Sequence, residues 1–257
     1  MTLTNGVSMS HPQEEMSTKF YLLPCLFTLS SLFCGFYAIL SATKGEFVVS
    51  AIAIIVAAVF DGLDGRVARM TGKTSMFGVE LDSLCDNVSF GVAPGLLAYF
   101  WALQPYGRYG WLAAFLYIAT TTLRLARFNS QQTDSVNFIG LPCPAAAAMI
   151  SSAVLFCHSL GIEGPVKHIS LLFLVYLLSY LMVSNHSYCS FKKMQHKGRT
   201  FPILVGALLL FILVAAEPQI MFFAIFVLYI ASGMATDLWK WAQKSSLGHK
   251  LTNKSKQ

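Results

Sequence analysis

Charge is what this sequence has least of. Asp, Glu, Lys and Arg make up 12% of its 257 residues, about half the share usual in a soluble domain. Hydrophobic residues make up 55%, and mean hydropathy is +0.60. That balance excludes an ordinary soluble domain and a disordered chain, and leaves an all-α integral membrane protein. Cysteine is sparse and unpatterned: Cys25, Cys34, Cys85, Cys143, Cys157 and Cys189 contain no C-x-x-C pair, which excludes a disulfide framework or zinc site and leaves small hydrophobes. The six histidines, at 11, 158, 168, 186, 196 and 249, share no metal-ligand spacing. A concentrated basic module is also missing. The formal charge of +6 is spread over loops and a basic tail, which argues against nucleic acid and for anionic lipid headgroups.

What is abundant is apolar runs of span length. They fall at 20–42, 46–63, 79–103, 109–128, 141–161, 166–185, 200–216 and 218–238, about eight candidate transmembrane helices. The first lacks a small-residue cleavage signature and is expected to be a retained span. Residues 1–18 are expected to be a mobile polar tail, 19–238 the membrane domain, and 239–257 a basic tail anchored by Trp239 and Trp241. Placing the N-terminus in the cytosol puts fifteen of the eighteen Lys and Arg on that side, against Lys44, Arg108 and Lys167 opposite. The positive-inside rule then makes both termini cytosolic. In the third run, Pro94 with Gly91 and Gly95 is expected to kink the helix and open a cavity near Asp86. Pro142 and Pro144 are expected to start the fifth.

Five of the twelve acidic residues lie between Asp61 and Asp86. Asp61 and Asp64 are three apart, Asp82 and Asp86 four apart, so each pair shares a helix face. Uncompensated carboxylates crowded at a bilayer edge repel one another; a bound cation removes the conflict. Hard oxygen ligands suit Mg²⁺ or Mn²⁺, which bring phosphate oxygens into their shell. Gly65, Ala68 and Gly78 beside the acids leave room for a close approach. Arg66, Arg69 and Lys73 add phosphate-binding cations, so the substrate is expected to carry a pyrophosphate.

These residues form one pattern: Asp61-x-x-Asp64-Gly65-x-x-Ala68-Arg69, eight residues, then Gly78-x-x-x-Asp82-x-x-x-Asp86. It resembles, element by element, the signature of the CDP-alcohol phosphotransferase family. The resemblance implies displacement of CMP from a CDP-linked donor by an alcohol. It implies Asp61, Asp64 and Asp82 as metal ligands, with Asp86 as general base that also touches metal. Gly65, Ala68 and Gly78 become positions that admit the nucleotide, and Arg69 a phosphate contact. The family resemblance also implies a homodimer.

Three further stretches, LLPCLFTLSSLFCGFYAI, TLRLARFN with FIGLPCPAAAA, and SNHSYCSFKK, are similar to the serine-accepting bacterial branch of that family. That implies CDP-diacylglycerol as donor, L-serine as acceptor, and a multi-pass protein of the bacterial inner membrane with its active site facing the cytosol. The chain departs from the branch where Pro24-Cys25 and Ser30-Ser31 stand in place of Pro-Asn and Gly-Asn, which leaves Thr28 as the nucleotide-side candidate there. Serine's carboxylate calls for a cation. Arg124 and Arg127, three apart, either hold it or fix topology, and Asn129 lies beside them. Ser184, Tyr188 and Lys192 are further acceptor candidates in a segment that is otherwise an interfacial loop. Choline, glycerol 3-phosphate or inositol would keep the same core chemistry. An ion-coupled transporter would instead place acids in mid-membrane.

Overall fold

The computed structural model describes residues 12–71, 76–130, 140–162, 165, 167–184, 223, 224 and 227. Among them there is no strand. Helix α1 runs Pro12–Thr43, α2 Phe47–Thr71, and α3 Met76–Asp86. α3 continues through a π-helical stretch, Asn87–Val92, into the short α4, Ala93–Ala98. A second π-helical stretch, Tyr99–Leu103, and one 3₁₀ turn, Gln104–Tyr106, complete that rod. α5 spans Arg108–Ser130, α6 Cys143–Ser159 and α7 Ile169–Val183. The first six expected runs therefore each carry a helix. Of the runs at 200–216 and 218–238, only Phe223, Ala224 and Val227 are described, all helical, with Phe223 stacked on Phe156 at 4.8 Å.

α1 starts at Pro12, inside the stretch expected to be a mobile tail through residue 18. Its sequence, Pro-Gln-Glu-Glu, carries the proline and early acids that helix N-termini favour. That local preference outweighs the polarity of the segment.

The packing is small-inside and large-outside. On α1 the buried positions include Ser31, Ala38 and Ala42, while Leu29, Phe33, Phe36, Tyr37 and Leu40 are exposed. On α2, Ser50, Ala53, Ile54 and Ala57 face inward, with Val49, Ile52, Val56 and Val59 outward. Water would penalise such outer faces, whereas hydrocarbon does not. Small inner residues let helix backbones come together, which is how helices associate in lipid. Cys25–Thr43 and Phe47–Val67 are long and apolar enough to cross a bilayer; Cys143–Ser159 and Ile169–Val183 are apolar but shorter. Between helices, Ser31 Oγ donates to the Ala57 carbonyl at 3.1 Å and Ser50 Oγ to that of Ala38 at 2.8 Å.

Two sequence expectations concern prolines. Pro142 and Pro144 do open α6, whose Ala146 and Ala147 are fully buried. Just ahead, Gly140 adopts φ 85°, and a Cβ there would lie 2.6 Å from the Met182 carbonyl oxygen. Leu141 N–H donates to the Leu181 carbonyl at 3.1 Å, so this linker is pinned to α7. Around Pro94 the helix leaves α geometry, and its small residues pack closely against a neighbouring helix. A Cβ on Gly95 would lie 2.9 Å from Ile118 Cγ1, and one on Gly91 3.2 Å from Thr121 Cγ2. Both neighbours belong to α5, which fills the space the glycines leave.

Candidate metal and phosphate site

α2 and α3 end and begin at the same edge of the bundle, and α1 lies against both. This brings the two acid pairs together. One carboxylate oxygen each from Asp61, Asp64 and Asp82 lie within 4.8 Å of one another. The Asp86 carboxyl is in hydrogen-bonding reach of that of Asp61. Asp64 is the most enclosed, 5% exposed, and receives a hydrogen bond from Thr28 Oγ1 at 3.0 Å on Oδ2.

Asp82 tests whether this donor set fits a cation. Its Oδ1 is buried and has no hydrogen-bond partner among the described residues. A buried carboxylate oxygen without a partner is costly, and a cation shared with Asp61 and Asp64 would satisfy it. The all-oxygen set matches a hard divalent ion, so the residues present fit one.

Of the small residues in the pattern, Gly65 and Gly78 are described. A Cβ on Gly65 would meet nothing within 4 Å among the described residues, which leaves open space beside Asp64. Gly78 is half-buried one turn before Asp82. Ala68 and Arg69 belong to α2 by backbone, but their side chains lie outside the described part of the structure. Thr28, expected on the nucleotide side, is placed here by its bond to Asp64.

Among the acceptor candidates, Arg124 and Asn129 both lie on α5, and Asn129 reaches the site's elements. Asn129 Oδ1 accepts a hydrogen bond from Ser83, the residue after Asp82, at 3.1 Å. Arg124 Nη1 donates to Cys143 Sγ at 3.2 Å, while its Nε is buried with no partner among the described residues. Arg127 is exposed near the end of α5. Ser184 turns back on its own helix, its Oγ donating to the Leu181 carbonyl at 2.8 Å. Tyr188 and Lys192 lie outside the described residues.

Sequence reasoning did not find Ser83, Asn87, Tyr117, Thr122 or Cys143. Ser83 and Asn87 were within sight, since they flank Asp82 and Asp86 in the chain. Thr122, which donates to Asn87 Oδ1 at 2.9 Å, lies two residues before Arg124. Tyr117 and Cys143 carried no signal, being ordinary apolar-helix residues by pattern.

A family model described as CDP-alcohol phosphatidyltransferase matches residues 21–183, from the second residue of the first apolar run to the last residue of α7. The chain belongs to the CDP-alcohol phosphatidyltransferase family. Its members are membrane enzymes, in keeping with the apolar outer faces. A CDP-diacylglycerol–serine O-phosphatidyltransferase of Helicobacter pylori is 40% identical over 212 residues, 81% of this chain and 89% of the relative. One of Bacillus subtilis is 36% identical over 172 residues, 66% of this chain and 92% of the relative. An archaetidylserine synthase of Methanothermobacter thermautotrophicus is 36% identical over 177 residues, 68% and 72% of the two chains.

Proposed function

We propose that the protein transfers the phosphatidyl group of CDP-diacylglycerol to the hydroxyl of L-serine, giving phosphatidylserine and CMP. The observation that carries this reading is the convergence of three aspartate carboxylates, with Asp86 beside them. It occurs in a chain 40% identical to a CDP-diacylglycerol–serine O-phosphatidyltransferase. The serine-forming names of the bacterial and archaeal relatives support serine as the acceptor.

In this reading Asp61, Asp64 and Asp82, with Asp86 at the edge of the set, hold Mg²⁺ or Mn²⁺. When bound, the ion neutralises charge on the pyrophosphate and on the departing CMP. Thr28 holds Asp64 in place. Gly65, Ala68 and Gly78 leave room for the nucleotide, and Arg69 contacts phosphate. Asp86 takes the proton from the serine hydroxyl; the oxygen attacks the phosphorus on the lipid side, and the bond from that phosphorus to the CMP oxygen breaks. Arg124, whose buried Nε has no hydrogen-bond partner among the described residues, is the favoured holder of the serine carboxylate. Arg127, Asn129, Ser184, Tyr188 and Lys192 complete the acceptor side.

The same reading places about eight helices in a bacterial inner membrane, with both termini and the acid cluster toward the cytosol. Serine and CMP then exchange with water while the lipid enters from the bilayer. The membrane domain of residues 19–238 carries a basic tail at 239–257 and works as a homodimer. The support is the Lys and Arg asymmetry of the loops and the family resemblance.

The deciding experiment is CMP release from CDP-diacylglycerol by the purified chain in detergent, with serine, choline, glycerol 3-phosphate or inositol, and with Mg²⁺ or Mn²⁺ varied. Serine-dependent, metal-dependent release is expected. Release driven by another alcohol and not by serine would move the acceptor, and no release with any of them would overturn the reading.

A further inference from the structure

Asp86 is the last residue of α3, and the helix leaves α geometry at the next residue. The cause lies at Pro94. In a continuous α-helix its N–H would serve the Phe90 carbonyl; proline has none, and its ring would press on that same carbonyl. The chain widens instead, with Ala93 N–H bonding the Val88 carbonyl five residues back. Tyr117, fully buried on α5, donates its hydroxyl to the Phe90 oxygen at 3.1 Å. The stretch is held at three further points. Thr122 Oγ1 donates to Asn87 Oδ1 at 2.9 Å, and Ser89 Oγ to the Ser31 carbonyl at 3.1 Å. Gly35 on α1 comes so close that a Cβ there would lie 2.7 Å from Ser89 Cα.

A wide turn takes up one extra residue, and one residue corresponds to about 100° of helix rotation. The π-helical stretch therefore sets how the face of Asp82 and Asp86 is rotated relative to the buried face of α4. If it relaxed to α geometry while α4 stayed packed, Asp86 would swing away from Asp61. Such single-turn widenings recur at functional sites.

We propose that Tyr117 and Thr122 are positioning residues, holding through Phe90 and Asn87 the π-helical stretch that presents Asp82 and Asp86 to the acids of α2. This rests on the reading of those acids as metal ligands and base. Their assigned role is to act on the orientation of α3 through these bonds.

The test uses the full chain in detergent with Tyr117→Phe, Thr122→Val and Thr122→Ser. It reads Mn²⁺ binding by electron paramagnetic resonance, and kcat and KM for CMP release. Tyr117→Phe is expected to lower both kcat and Mn²⁺ affinity about tenfold, the scale of an outer-shell change, with KM for either substrate within about twofold. Thr122→Val should do the same more weakly, and Thr122→Ser, which keeps the hydroxyl, should match the unaltered chain. Wild-type kcat and Mn²⁺ affinity in folded Tyr117→Phe and Thr122→Val would overturn the proposal. So would a Thr122→Ser protein as impaired as Thr122→Val, or a rise in KM alone. If Tyr117→Phe does not fold, the Thr122 pair decides. If the unaltered chain releases no CMP with any of the four alcohols, the transfer reading falls, and the Mn²⁺ comparison still decides this one.

Discussion

α2 reaches Asp61 and Asp64 as one regular α-helix of 25 residues, whereas α3 presents Asp82 and Asp86 within 11 residues and then widens into π geometry. The first pair is positioned by its own helix, with Thr28 bonded to Asp64. The second pair depends on bonds from α1 and α5 to the stretch that follows it. Backbone geometry suffices to aim the α2 pair. Tertiary packing must aim the α3 pair, because a proline eight residues after Asp86 disturbs the helix that carries it.

The comparison is broken most sharply at its two ends. Asp86→Asn removes the proposed base and should lower turnover by about 10²–10⁴-fold while CMP binding, measured by calorimetry, persists. Near-normal turnover would remove Asp86 from the mechanism and leave the α3 pair with a role in binding alone. Asp64→Asn strikes the regular helix. It should weaken Mn²⁺ binding by more than the roughly 10–100-fold of an outer-shell change, read by paramagnetic titration. A loss no larger than that would mean Asp82 and Asp61 suffice and the α2 pair is unequal.

Two glycines then separate packing from access. Gly35→Ala forces a methyl against the Ser89 backbone, and such overpacking should cost about 1–3 kcal/mol, seen as a lower Tm in detergent. Turnover should fall too, because the clash moves the α3 side. Gly65→Ala meets nothing within 4 Å among the described residues, so stability should change by no more than about 0.5 kcal/mol. Its effect should appear as a several-fold rise in KM for CDP-diacylglycerol, since the added methyl enters space left for the nucleotide. An unchanged KM would place the nucleotide elsewhere.

Much of the helical plan was legible because apolar length is a local property. The expected runs at 46–63, 109–128, 141–161 and 166–185 correspond to α2, α5, α6 and α7 within a few residues, apart from α2's eight-residue extension past the end of its run to Thr71. The start of α1 at Pro12 was not read, because polarity of the segment was weighed above its helix-starting pattern. At the site, the acids and glycines were legible from spacing, since three- and four-residue intervals fix a helix face whatever surrounds it. The Thr28 bond to Asp64 was not, as it joins residues 36 apart. Nor was the use of Gly91 and Gly95 for packing, which depends on where α5 comes to lie.

By itself, then, the sequence determined a mostly helical membrane chain and an acidic face on each of two neighbouring helices, because hydrophobic length and helical period act over a few residues. Only the tertiary structure decided that three carboxylates meet within 4.8 Å, that one oxygen of Asp82 is left without a partner among the described residues, and that Tyr117 serves the carbonyl a proline cannot. Those outcomes belong to the relative rotation of separate helices. That rotation is set by small residues in contact and by hydrogen bonds across them, which no single stretch of sequence contains.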